Sequence, residues 1–222
     1  MEEPVFTTIP ISGYQARSIA NVLIQQPQVT STLAVIFPGV NYSCDMPLLY
    51  YTARLLGQRN SDVLNLHTEY SHPEYRSLPA AQRAEWISTD ATAGVEAALA
   101  HRKYQKLILI GKSIGTLSLA TLIGQEIGAG AITVWLTPLL RHAFMVEAAM
   151  RFQGPALYIS GTGDDLYEAE NLNRIKQATR AESLIIEGAN HSLEIPGKME
   201  DSLQILKQVI TGIGSFLDRN GV

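Results

Sequence analysis

The sequence predicts an α/β fold: a doubly wound, mostly parallel sheet of about eight strands with helices on both faces. Three observations carry this reading. Short β-branched runs alternate with longer helix-like stretches over most of the chain. The runs are nearly continuous in apolar residues, as strands buried on both faces must be. The first two runs have no helix between them, so they read as an antiparallel entry to the sheet. With 222 residues, 46% of them apolar, the chain can bury one sizeable core, and a single domain over 1–222 is expected.

In chain order, Val5–Ile11 and Ala16–Ile24 form the expected hairpin. The parallel strands are expected at Leu33–Phe37, Val63–Leu66, Leu107–Ile110, Ile132–Leu136, Ala156–Ile159 and Leu184–Ile186. Helix-like stretches at Asp45–Leu56, Pro79–Ala100, Ile114–Gln125, Tyr167–Arg180 and Met199–Leu217 lie where crossovers are needed. In the last of these, Met199, Leu203, Leu206, Ile210, Ile213 and Leu217 recur at three- and four-residue steps and predict one buried stripe. Between Thr137 and Pro155 there is room for a loop and one short helix, about Ala143–Phe152, and not for a separate lid domain.

Composition excludes several classes. The formal net charge is −4 and no basic block is present, so nucleic acid is not an expected partner. The most apolar region, Leu107–Trp135, is interrupted by Lys112, Gln125, Glu126 and several glycines, which rules it out as a membrane span. Cys44 is the single cysteine, so no intrachain disulfide is possible. The acidic start Met1-Glu2-Glu3-Pro4 does not read as a secretion signal, and a cytoplasmic location is expected. No histidine pair has metal-ligand spacing, and neither a metal nor another cofactor is expected.

The chemistry centres on Gly111-Lys112-Ser113-Ile114-Gly115, which follows a strand and opens an apolar helix. This is G-x-S-x-G in strand–turn–helix context, where a serine on a tight turn projects its oxygen above the sheet. The following helix aims its first amides at an oxygen that becomes negative. A chain of this composition supplies roughly 0.1 such motif by chance, so the context matters as much as the match. A phosphate-binding reading of Gly111-Lys112-Ser113 fails, because Lys106 stands where that loop needs its first glycine.

A nucleophilic serine needs a base and an acid that orients the base. Strand Ala156–Ile159 is followed by Ser160-Gly161-Thr162-Gly163-Asp164-Asp165, and Leu184–Ile186 by Glu187-Gly188-Ala189-Asn190-His191. Ser113, Asp164 and His191 therefore stand in the expected order, each beyond a later strand. Asp165 is the alternative acid, with the other aspartate capping the next helix. Serine alone would also be a common helix N-cap.

From about Leu33 to Leu217 the chain resembles the α/β-hydrolase superfamily. The resemblance rests on the serine motif, on the G-x-x-D turn Gly161–Asp164 and on the glycine-containing turn Gly188–His191. It implies a small lidless member with an oxyanion loop at Phe37-Pro38-Gly39-Val40-Asn41, where Pro38 replaces the family's usual histidine. In that register Val40 and Ile114 supply the oxyanion amides, with Asn41 as the alternative to Val40. The implied activity is a carboxylesterase-like serine hydrolase acting on small-molecule esters or thioesters of small or medium acyl groups. A thioesterase, lysophospholipase or peptidase on the same residues is the alternative within enzymes, and a non-catalytic ligand-binding relative the alternative outside them.

The remaining reactive side chains have no motif. His101 reads as structural at a helix end, where a cation is favourable, and His142 has no assigned role. His67 and His72 follow a strand at the presumed site edge and are candidates to line a pocket. The loop Ser71–Pro79 is a candidate to fold over the site and supply the wall that a lid would give, and Cys44 reads as a buried small side chain.

Overall fold

The computed structural model describes residues 3–222; Met1 and Glu2, half of the acidic start, lie outside them. Eight strands form one sheet: β1 (Val5–Thr7), β2 (Ala20–Gln25), β3 (Thr32–Phe37), β4 (Asp62–His67), β5 (Lys106–Lys112), β6 (Ile132–Leu136), β7 (Ala156–Gly161) and β8 (Glu182–Ile186). Their spatial order is β1-β2-β4-β3-β5-β6-β7-β8. The β1–β2 and β2–β4 pairs are antiparallel and all others parallel.

Between the parallel strands lie α1 (Pro47–Gln58), α2 (Pro73–Ser77), α3 (Ala80–His101), α4 (Gly115–Leu122), α5 (Ala143–Arg151), α6 (Ala169–Ala178) and, after β8, α7 (Met199–Arg219). Alternate strand residues enter different cores, the signature of a sheet covered on both faces. Leu33, Val35 and Phe37 of β3 pack with residues of α3, α4, α5 and α6, whereas Ala34 and Ile36 pack with α1 and α7. Trp135 of β6 and Tyr158 of β7 are register partners on the first face, stacked with centroids 5.2 Å apart. Burial at both faces explains why the strands read as unbroken apolar runs.

The N-terminal hairpin forms, but its strands are much shorter than the sequence pattern. Pro10 has no N–H to give a ladder, and Asn21 replaces the missing pairing. Its side chain accepts from Ile9 N at 3.1 Å and donates to Ile9 O at 2.8 Å. Ile9, Ile11 and Ile19 are buried without being strand residues.

The α7 stripe is offset from the predicted one. Ile205, Val209, Ile213, Phe216 and Leu217 are buried, while Met199 and Leu203 are exposed. Met199 and Leu203 of its first turns line a surface groove with Pro196 and Leu48 instead of entering the core. The helix after the serine motif also ends sooner than predicted, at Leu122, with a short 3₁₀ turn at Glu126–Gly128 beyond it. No helix among the described residues is long and apolar enough to cross a membrane.

Candidate active site

Strand order reverses at β3 and β5: the chain leaves β3 for β4 on one side and returns to β5 on the other. The crevice beyond the carboxyl ends of such strands is where doubly wound sheets gather functional groups. Both the Gly39–Asn41 loop after β3 and the serine turn after β5 open there.

Ser113 has φ +53°, a left-handed conformation that costs a non-glycine residue and here lifts its side chain off the sheet end. The flanking glycines permit the turn. A Cβ on Gly115 would sit 2.2 Å from Phe37 O, and one on Gly111 would sit 2.6 Å from Gly115 O. Backbone is packed against backbone, so no other residue fits.

The structure brings the three predicted residues together. His191 Nε2 lies 2.8 Å from Ser113 Oγ, and His191 Nδ1 lies 2.7 Å from Asp164 Oδ2. With a carboxylate on Nδ1, that nitrogen carries the proton and Nε2 is left to accept from the serine hydroxyl. Asp164 Oδ1 accepts from Leu166 N at 2.9 Å, so one carboxylate both closes its own turn and holds the imidazole. Asp165 touches neither, and no aspartate caps α6, whose N-cap position is Glu168.

The turns carrying Asp164 and His191 are tied by three hydrogen bonds, two of them backbone to backbone. Thr162 N donates to Ile186 O, Gly163 N donates to Ala189 O, and Gly188 N donates to Thr162 Oγ1. Burial of the His191 ring, then the nearby Lys112 cation, pull its pKa below 6.5, while the Asp164 carboxylate opposes them. The neutral, proton-accepting imidazole is the net result.

Val40 and Ile114 both pack against a cluster of Tyr14, Tyr70, Tyr75, Trp86 and Ile87. Among the described residues, the amides of Val40, Asn41 and Ile114 donate no hydrogen bond. Two clefts are lined by residues next to the serine turn, one by Ile114 and the other by Gly39. One, of about 360 Å³, is apolar and lined by Tyr75, Ile87, Ile114, Leu117, Leu139 and Phe144. The other, of about 400 Å³, is more polar and lined by Gly39, Asn41, His67, Glu69 and Ser71. Gly39 places that cleft beside Ser113, since its Cβ would lie 3.4 Å from Ser113 Cβ.

Other candidates fall elsewhere. His67 lines the polar cleft, and His142 the rim of the apolar one. His72 caps α2, its Nδ1 accepting from Glu74 N. His101 ends α3 beside Gln25. Cys44 is buried and donates to Leu66 O; burial pushes its thiol up to about 12. No group of three His, Cys, Asp or Glu among the described residues could hold a metal.

Sequence reading missed Lys112 and Thr137. A lysine closing an otherwise apolar strand was the available signal, and its side chain is 1% exposed. Segment Ser71–Pro79, expected as a loop, is largely the helix α2, and Tyr75 of that helix lines a cleft with Ile114.

A doubly wound sheet with a strained serine turn at its switch point, hydrogen-bonded to histidine and aspartate from later turns, defines a recognisable class of α/β protein. The profile of the alpha/beta hydrolase domain matches residues 35–218, and the chain belongs to that family. Solved structures share the fold at low identity. A dienelactone hydrolase from Anabaena variabilis is 16% identical with a TM-score of 0.71, over 98% of this chain and 99% of that one. An esterase from Pyrococcus furiosus is 15% identical with a TM-score of 0.75, over 97% and 91%. An α/β serine hydrolase without a lid from Xanthomonas campestris is 17% identical with a TM-score of 0.66, over 94% of each chain.

Proposed function

We propose that the protein is a serine hydrolase that cleaves carboxylic esters of small or medium acyl groups through an acyl-enzyme. The observation that carries this reading is the continuous chain of hydrogen bonds from Ser113 through His191 to the buried Asp164. Ser113 Oγ bonds to the ester carbonyl carbon while His191 Nε2 takes its proton. The tetrahedral oxyanion accepts from the amides of Val40 and Ile114, which have no protein acceptor. Collapse breaks the carbon–oxygen bond to the alcohol, which leaves with the proton from Nε2. Water then repeats both steps, releasing the acid and restoring Ser113. The residues supply all of this without a metal or organic cofactor.

The apolar cleft beside Ile114 supports an aliphatic or aromatic acyl group. Only α5 and short loops join β6 to β7, which supports a lidless single domain. The test is labelling with a fluorophosphonate followed by peptide mapping. We expect one adduct, on Ser113, and none in Ser113→Ala, whose kcat on any working ester falls by roughly 10⁴-fold with the fold intact. Failure of the wild-type protein to label would favour a ligand-binding relative with no working nucleophile.

A further inference from the structure

Lys112 lies between Gly111 and the serine, yet it is buried and has no carboxylate partner among the described residues. Its Nζ donates to Thr137 Oγ1 at 2.7 Å and to the backbone carbonyl of His191 at 2.8 Å, and it lies 5.0 Å from the centre of the Tyr42 ring. Burying an ammonium in this way is costly, and an apolar side chain would fill the same space without the penalty. Burial pulls the lysine down to about 8, with the Asp164 carboxylate opposing that fall. What the charge reaches is informative. Its acceptors are a hydroxyl just beyond β6 and the main chain of the histidine itself, so one side chain joins the ends of β5 and β6 to the turn carrying the imidazole.

We propose that Lys112 is a positioning residue that acts through His191, clamping the backbone of the base against Thr137 and opposing a second positive charge on the ring. The inference rests on the reading of Ser113 and His191 as nucleophile and base. The charged and titratable groups facing this pair are Asp164 from the turn after β7, Tyr42 from the loop after β3, and Glu194, which acts on Tyr42 from the histidine's own loop. Asp164 favours a protonated imidazole and Lys112 disfavours it, so removing the cation leaves the carboxylate unopposed.

The experiment measures the rate of Ser113 labelling by a fluorophosphonate from about pH 4.5 to 9 in the wild-type, Lys112→Met and Lys112→Gln proteins. The wild-type acid limb should have its midpoint below the usual histidine value. In Lys112→Met the midpoint should move to higher pH, and the plateau should fall roughly 10- to 100-fold because the base is no longer held in line. Lys112→Gln keeps a donor for the His191 carbonyl but no charge, so it should regain most of the plateau while its midpoint stays shifted. If the methionine variant does not fold, the glutamine variant carries the midpoint test, read also as the difference in His191 ring titration by NMR between the wild-type and Lys112→Gln proteins. A wild-type protein that labels well, with variants sharing its midpoint and its His191 ring titration, overturns the role of Lys112 alone. A wild-type protein that never labels overturns the hydrolase reading as well.

Discussion

At the residue scale, two adjacent carboxylates of equal charge have different surroundings. Asp164 is buried and spends one oxygen on Leu166 N and the other on His191 Nδ1. Asp165 takes part through its backbone carbonyl, which accepts from Arg141. In Asp164→Asn, the amide oxygen would stay with Leu166 N and the amide nitrogen would face the ring. Two donors cannot share that contact, so Nδ1 would lose its proton and Nε2 would carry it, leaving no acceptor for the serine. We expect kcat to fall by about 10⁴-fold in Asp164→Asn and by less than about 2-fold in Asp165→Asn, measured side by side on one ester. Equal losses, or the reverse pattern, would reassign the acid. The distinction was legible because the turn places Asp164, the fourth residue from Gly161, over the base turn. Lys112 was not legible, since sequence cannot show that a lysine beside a nucleophile points into protein instead of solvent.

At the element scale, the serine turn depends on the close approach of α4 to the end of β3. Gly115 is where they meet, and its missing side chain is filled by Phe37 O and Pro38 O, both main-chain atoms that cannot rotate away. Gly115→Ala should therefore push α4 and the Val40 loop apart, costing about 1–3 kcal/mol of stability by overpacking and reducing activity further by separating the two amides. Gly130→Ala, where nothing lies within 4 Å, is the matched control and should be near neutral in both. Urea midpoints and ester turnover of the two variants check this, and similar stability in both would remove Gly115 from the elbow's packing. The parallel strands, the elbow and its partner turns were readable because burial on both faces and fixed turn geometry each restrict residue type. The ends were less readable. Pro10 interrupts the N-terminal ladder, and the Asn21 side chain replaces it through a contact to Ile9, 12 residues away. At the start of α7, Met199 and Leu203 face a surface groove, so periodicity there does not track the core.

At the scale of the whole molecule, the substrate reading depends on how elements distant in sequence enclose the space beside Ser113. Without a lid, the sequence alone suggests a shallow pocket open to solvent. The structure adds a wall: α2, α3, α4 and the α5 region contribute Tyr75, Ile87, Leu117 and Phe144 to an apolar cleft of about 360 Å³. Phe144 is 58% exposed, so the far side of the cleft remains open. Each methylene that the cleft encloses is worth about 0.8 kcal/mol, or roughly a fourfold gain in kcat/KM if it is buried in the transition state. A methylene that passes Phe144 into solvent adds nothing and is hindered by the rim. On p-nitrophenyl esters we therefore expect kcat/KM to climb over the first few carbons and then decline, with no jump in rate above the substrate's solubility limit. Leu117→Trp should fill the cleft and move the optimum to shorter chains while sparing the acetate ester, which needs little of that space. A wild-type optimum at long chains, or an optimum that Leu117→Trp leaves in place, would put the acyl group in the polar cleft beside Gly39 instead.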